Sequence, residues 1–199
     1  MRLDKATVLL AVIALAGCRP GGAQGSGAKY EAPSDLKPNA MIPAKANLRI
    51  GELDLPVEVE QTESGNKTTI ALKAHGQVFE KEVYGLDEKS LTMIEVAGEM
   101  YEAPLPLLQF PLRVGDGWTW SGTMTAGQEP HKATAKIATA PEQILLPGGS
   151  TPSILVVVDL AIESGASTPA TRKLRFWFVE GKGLVKRQFG IGSSREPTE

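Results

Sequence analysis

The sequence predicts an all-β protein: a single antiparallel β domain, either a curled sheet such as a half-barrel or a sandwich, following a disordered N-terminal tether. Three observations predict it. From about Asn47 onward apolar and polar residues alternate with the period of two expected of strands that bury one face. Clusters of Gly, Pro, Asn and Asp interrupt that alternation at short intervals, as turns between strands do. No long stretch repeats its apolar residues at the helical period.

The first element is not part of that domain. Arg2 and Lys5 outweigh Asp4 and precede the apolar run from Ala6 to Ala16, the charged head and apolar middle of a secretory signal. As a helix rising 1.5 Å per residue, that run falls far short of the roughly 30 Å hydrocarbon thickness of a bilayer. It closes on Leu15-Ala16-Gly17-Cys18, which contains the only cysteine of the 199 residues. Small residues at 16 and 17 let an extended segment enter a peptidase cleft, and Cys18 supplies a thiol that can be alkylated.

In the order of Leu, two small residues and Cys, residues 1–18 resemble the bacterial lipoprotein signal peptide and its lipobox. The resemblance implies that residues 1–17 are a signal peptide, that Cys18 carries a thioether-linked diacylglyceryl group, and that its freed amino group is acylated, as by palmitate. Each buried methylene contributes about 0.8 kcal/mol, so several chains on one residue make a firm membrane anchor. The alternative is a plain secretory signal with an unmodified cysteine. Arg19 rather than Asp follows the cysteine. In an organism with two membranes, resemblance to sorted lipoproteins favours the periplasmic face of the outer membrane.

Residues 18–45 read as the lipidated cysteine and a flexible linker, rich in Gly, Ser, Ala and Pro and poor in large apolar residues that would offset the entropy of ordering. Such a linker keeps the folded part within a few tens of ångströms of the membrane. The β domain is expected over 46–191 and a disordered tail over 192–199. Loss of residues 1–17 lowers Lys plus Arg from 21 to 19 and Asp plus Glu from 23 to 22, a net charge of -3. That mild acidity excludes the basic footprint of a nucleic-acid-binding protein. With its one cysteine lipidated, the chain has no disulfides and needs an ordinary core.

Within the domain, Leu53, Leu55, Val57 and Val59 alternate with Asp54, Glu58 and Glu60, although Pro56 places that strand at an edge or bend. Glu63-Ser64-Gly65-Asn66 turns it into a return strand over Thr68–Ala74. Strands over Val78–Tyr84 and Ser90–Val96 follow, and Gly98 allows a short return through Glu99–Ala103. Pro104, Pro106 and Pro111 keep the next stretch extended because each lacks an amide donor and restricts the residue before it. Gly115-Asp116-Gly117 is a tight turn before a strand at Trp118–Thr123. Strands over Lys132–Thr139 and the β-branched run Ile154–Ile162 flank a loop at 146–150, and 172–179 with 183–189 forms the closing hairpin.

Two segments, Phe110–Gly122 with its Pro-Leu, Gly-Asp and Trp, and Phe176–Arg187 with an aromatic strand, a Gly turn and Gly-Leu-Val-Lys, resemble elements of small uncharacterised bacterial envelope proteins. The resemblance implies an exported β domain and brings no catalytic residues.

Chemistry is sparse. His75 and His131, the only histidines, lie in different hairpins and begin no metal motif, so no metal site or cofactor is expected. Asp116 between two glycines makes a turn. Ser121 and Ser164 lack the Gly-x-Ser-x-Gly setting of an activated nucleophile, and Asn66-Lys67-Thr68 reads as turn sequence. Arg172, Lys173, Arg175, Lys182, Lys186 and Arg187 crowd the closing hairpin. Alternation puts Arg172 on the face of Leu174 and Phe176, and Lys173 and Arg175 on that of Trp177, with a solvated face expected for the charges. Trp118, Trp120, Phe176 and Trp177 are the candidate ligand-binding residues, since a concave sheet can present aromatics to an apolar ligand. The expectation is a non-enzymatic envelope lipoprotein that binds or scaffolds an envelope component, held to the membrane through Cys18. Its alternative is a carrier holding the acyl chains of a lipid or lipoprotein against Trp118, Trp120 and Phe176, and a hydrolase with a site assembled from scattered residues is a third class.

Overall fold

The computed structural model describes residues 27–37, 45–163, 168–189 and 193–197. Cys18, the signal-like segment and Ser164 lie outside the described residues. The strands are β1 (Lys29–Tyr30), β2 (Lys45–Ile50), β3 (Leu53–Ser64), β4 (Lys67–Ala74), β5 (Gln77–Leu86), β6 (Ser90–Val96), β7 (Glu99–Gln109), β8 (Leu112–Arg113), β9 (Gly117–Ala126), β10 (Glu129–Leu146), β11 (Gly149–Ile162), β12 (Ala170–Val179), β13 (Gly183–Phe189) and β14 (Ser193–Pro197). A 3-10 turn covers Pro33–Asp35.

All but β1 and β8 form one antiparallel sheet that curls until it closes on itself, in the order β10-β11-β12-β13-β14-β2-β3-β4-β5-β6-β7-β9. Closure comes from β9, which pairs with β10 over ten residues but with β7 over only three, Glu99–Tyr101 against Met124–Ala126. Most steps round the ring are hairpins, and tight turns such as Ala97-Gly98, both at positive φ, match the strand twist.

Period-two alternation sorts the side chains. Leu48, Ile70, Leu72, Tyr84, Met93, Val156, Val158, Phe176 and Phe178 face inward and are fully buried in one continuous core. The outer face carries ion pairs such as Lys81–Glu95 at 2.9 Å and Lys173–Asp159 at 3.4 Å, where a lipid-facing barrel would need an apolar band.

Two expected boundaries are corrected. The linker expected to residue 45 is ordered over 27–37: β1 pairs with β8, and Tyr30 and Leu36 enter the core. These two apolar side chains offset the entropy that the surrounding Gly and Pro composition argues against. Of the disordered tail expected over 192–199, residues 193–197 are instead a strand, since β14 pairs with both β13 and β2 and completes the ring. Ser-Ser-Arg-Glu-Pro has no apolar alternation, so it is held by ladder bonds and by Arg195, which is buried. The expected loop at 146–150 is a tight turn between two long strands.

Candidate functional site

The ring brings charged side chains into its interior. On β5, Glu80, Glu82 and Tyr84 share the inward face, opposite Leu72, Ile70 and Thr68 of β4. On β13 and β14, Arg187 and Arg195 are direct cross-strand neighbours, flanked by Phe176 and Leu48. These strands lie on opposite sides of the ring, yet Arg187 Nε donates to Glu82 Oε1 at 2.6 Å and Arg195 Nε to the same oxygen at 3.1 Å. The second carboxylate oxygen accepts from the Tyr84 hydroxyl at 2.7 Å and from Arg195 Nη2 at 3.3 Å. Arg187 also pairs with Glu80, and its guanidinium carbon stands 4.5 Å from the Phe189 ring centre. The Arg and Glu side chains thus meet across the interior and join opposite walls of the ring.

Electrostatics follow from this geometry. Burial pushes the Glu82 carboxyl up, but the Arg195 and Arg187 guanidiniums outweigh it and hold it down at about 2. Burial dominates at Glu80, which is raised in spite of Arg187. The Tyr84 phenol is pushed well above its ordinary range by burial and by Glu82 beside it. Burial works against the Arg187 cation, yet Glu82 and Glu80 hold it protonated. With both Glu82 oxygens occupied by Tyr84, Arg187 and Arg195, the cluster ties opposite walls of the ring together.

The candidate aromatics do not share one surface. Trp120 faces inward from β9, makes an edge-to-face contact with Tyr101 at 5.9 Å, and donates its indole N–H to the Ala103 carbonyl at 3.1 Å. Trp118, half-buried beside it, donates to the Pro106 carbonyl at 2.9 Å. Both indoles thus bridge β9 to β7 beyond their three-residue ladder, along a stretch where Pro104 and Pro106 carry no amide donor. Gly122 makes room: a Cβ there would stand 2.5 Å from Trp120 Cζ2. Phe176 is in the core, edge-to-face with Phe189 at 5.6 Å. Trp177 points the other way, into a small outer cluster with Ile144, Leu146, Val179 and Val185, under the Lys186 ammonium at 5.0 Å.

A wide concavity lies elsewhere, on the outer face of β9–β12, with a volume of about 840 Å³. Two cross-strand rows line it. Thr119, Lys136, Asp159 and Lys173 stand in register, and beside them Ser121, Thr134, Ala161 and Thr171. This surface offers hydroxyls, two ammonium groups and one carboxylate, a set suited to hydrogen bonding. Sequence reasoning found Lys173 and Ser121 but not the groove, because alternation marks residues as outward without saying which strands align. Among the described residues no three of His, Cys, Asp and Glu gather as a metal ion would require.

No protein-family model matches the chain, and no curated protein matches it. Among solved structures, the hypothetical lipoprotein YmcC from Escherichia coli (K12) is similar at 9% sequence identity and a TM-score of 0.48, covering 80% of this chain and 87% of its own.

Proposed function

We infer that the chain is a lipid-anchored protein of the cell envelope whose β domain binds or scaffolds another envelope component and catalyses no reaction. The anchor rests on Leu15-Ala16-Gly17-Cys18 and the charged and apolar residues before it. The binding role rests on the groove across β9–β12, a wide concavity in which hydroxyl, ammonium and carboxylate groups stand over a largely apolar floor. Carriage of acyl chains would need free apolar space against Trp118, Trp120 and Phe176, and those side chains are packed against Pro106, Ala103, Tyr101 and Phe189. Where the organism has two membranes, the domain sits on the periplasmic face of the outer one.

A photoreactive side chain at Thr134 or Ser121 tests the groove. Expected is a specific adduct with one envelope component that is lost when Lys136 and Lys173 are both changed to Glu; adducts indistinguishable from background overturn the binding role. Cys18→Ser is expected to abolish labelling by radioactive fatty acid and to leave the precursor uncleaved, and unchanged labelling refutes the anchor. Turnover of ester or glycoside substrates by the purified chain would overturn the non-enzymatic reading.

A further inference from the structure

The β10–β11 hairpin outgrows the ring. β9 accompanies β10 only to Ala138, and β12 accompanies β11 only from Ile154, so residues 140–153 form a two-stranded arm. Its direction along the strands is towards the end where β1 and β8 pack. Ile144 and Leu146 fasten one face of the arm to Trp177, Val179 and Val185. On the other face Leu145 is 81% exposed, the most exposed large apolar side chain among the described residues.

The direction of the backbone groups along β10 is fixed by two bonds. Thr139 N–H donates to the Asp116 carbonyl on the β9 side. The Glu142 carbonyl accepts the Ser153 hydroxyl on the β11 side. Backbone groups alternate along a strand, so the odd residues point away from β11. Beyond Thr139, the free edge therefore presents the Pro141 carbonyl and the N–H and C=O of Gln143 and Leu145. Natural sheets protect such edges with charge, proline or cover. Pro141 guards only the base of this one, and Glu142 is its single charge.

We propose that this edge pairs with the same edge of a second copy of the chain, antiparallel about a two-fold axis through Ile144. In that register Gln143 faces Leu145 of the second copy, and the four outward N–H and four outward C=O groups of the two Gln143–Leu145 pairs are all satisfied. Glu142 faces Leu146, so no like charges oppose. Shifting the axis to Gln143 would bring Pro141 opposite Leu145 and strand both Leu145 carbonyls. The pairing is isologous and closes as a dimer. It is smaller than the roughly 800 Å² per partner of a stable interface, so its dissociation is fast and confinement to a membrane surface strengthens it. The segment 27–37 packs at the end from which the arm projects, so both copies bring their N-terminal segments to the middle of the dimer.

Oxidative cross-linking of the full chain in its membranes tests this. Across the axis, two Ile144 residues form a non-hydrogen-bonded pair with Cα atoms about 4.5 Å apart, within disulfide reach. Ile144→Cys is expected to give a reducible band of twice the mass, at least fivefold above the unsubstituted chain, whose only cysteine is Cys18, and above Val78→Cys at the far end of the ring. Adding Gln143→Pro should cut that yield at least fivefold with an unchanged melting temperature, because the N–H it removes points away from the arm's own ladder. If that variant does not fold, Leu145→Pro removes the other outward N–H and serves in its place. No dimer from Ile144→Cys, an equal yield from Val78→Cys, or a yield that the proline leaves intact each overturns the proposal, whether or not another protein's strand takes the edge.

Discussion

Arg187 and Glu82 are 105 residues apart in the chain and 2.6 Å apart in the fold, joined across the interior from opposite sides of the ring. Neither is reached by water, and a second guanidinium, that of Arg195, shares the same carboxylate oxygen. The arrangement places two cations side by side on neighbouring strands, tolerable because Glu82 stands between them and Glu80 takes up the remaining charge.

Removing the shared anion leaves two buried guanidiniums with one carboxylate. Glu82→Gln is therefore expected to destabilise the fold by about 3–5 kcal/mol, as breaking other buried pairs does. Chemical denaturation measures it. A quadruple variant, Glu80→Gln, Glu82→Leu, Arg187→Met and Arg195→Met, should recover much of that loss, since the Glu80 carboxylate that pairs with Arg187 is removed with the rest and no charge is left uncompensated. A quadruple variant less stable than Glu82→Gln would mean that the ion pairs themselves supply the stability.

Acid should act on the same group. Glu82 is held at about 2, below the 4.5 of an unperturbed glutamate, so the folded state binds its proton more weakly than the unfolded state. Its contribution is complete above about pH 4.5 and is lost as pH falls towards 2. Glu80, raised by burial, runs the other way and gains its proton earlier in the descent, offsetting part of the loss. The gap in melting temperature between the unsubstituted chain and Glu82→Gln should narrow between pH 5 and pH 2.5; a constant gap would contradict the assignment.

Gly122→Ala tests the joint between β7 and β9. The added methyl would meet Trp120 Cζ2 at 2.5 Å and the Ala103 Cβ at 3.0 Å, forcing the indole off its bond to the Ala103 carbonyl. Overpacking of this kind costs about 1–3 kcal/mol. Near-ultraviolet circular dichroism should change with it, because the Trp120–Tyr101 contact is disturbed.

Leu36→Ala distinguishes an anchored N-terminal segment from a loose one. Leu36 is fully buried in the core, and truncations of that kind cost about 2–5 kcal/mol. A disordered linker predicts no change in the denaturation midpoint.

Most of the ring's strands could be read from the sequence, because Leu53–Val59 and Ile154–Ile162 bury one face and alternate accordingly. What could not be read is whatever depends on distant partners. Arg187 looks like any arginine of a solvated strand until Glu82 is brought to it, and β14 has no pattern of its own. Tyr30 and Leu36 are isolated among Gly, Pro and Ser, so composition outweighed them. The groove exists because Thr119, Lys136, Asp159 and Lys173 fall into register across four strands, and period two carries no register. The four candidate aromatics show a related limit: Phe176 and Trp177 are adjacent in sequence and therefore point to opposite sides of the sheet.

The pairing of β14 with β2 joins residues around 195 to residues around 48, and it governs when the molecule can fold as well as how. During synthesis, residue 195 leaves the ribosome long after Glu82. Until it does, the sheet has two unjoined margins and Glu82 lacks one of its two guanidiniums. Contacts of such sequence separation form slowly because a long loop must close first. The last step of the ring's assembly therefore waits for its final strand, and the growing chain keeps an open sheet until synthesis is all but complete.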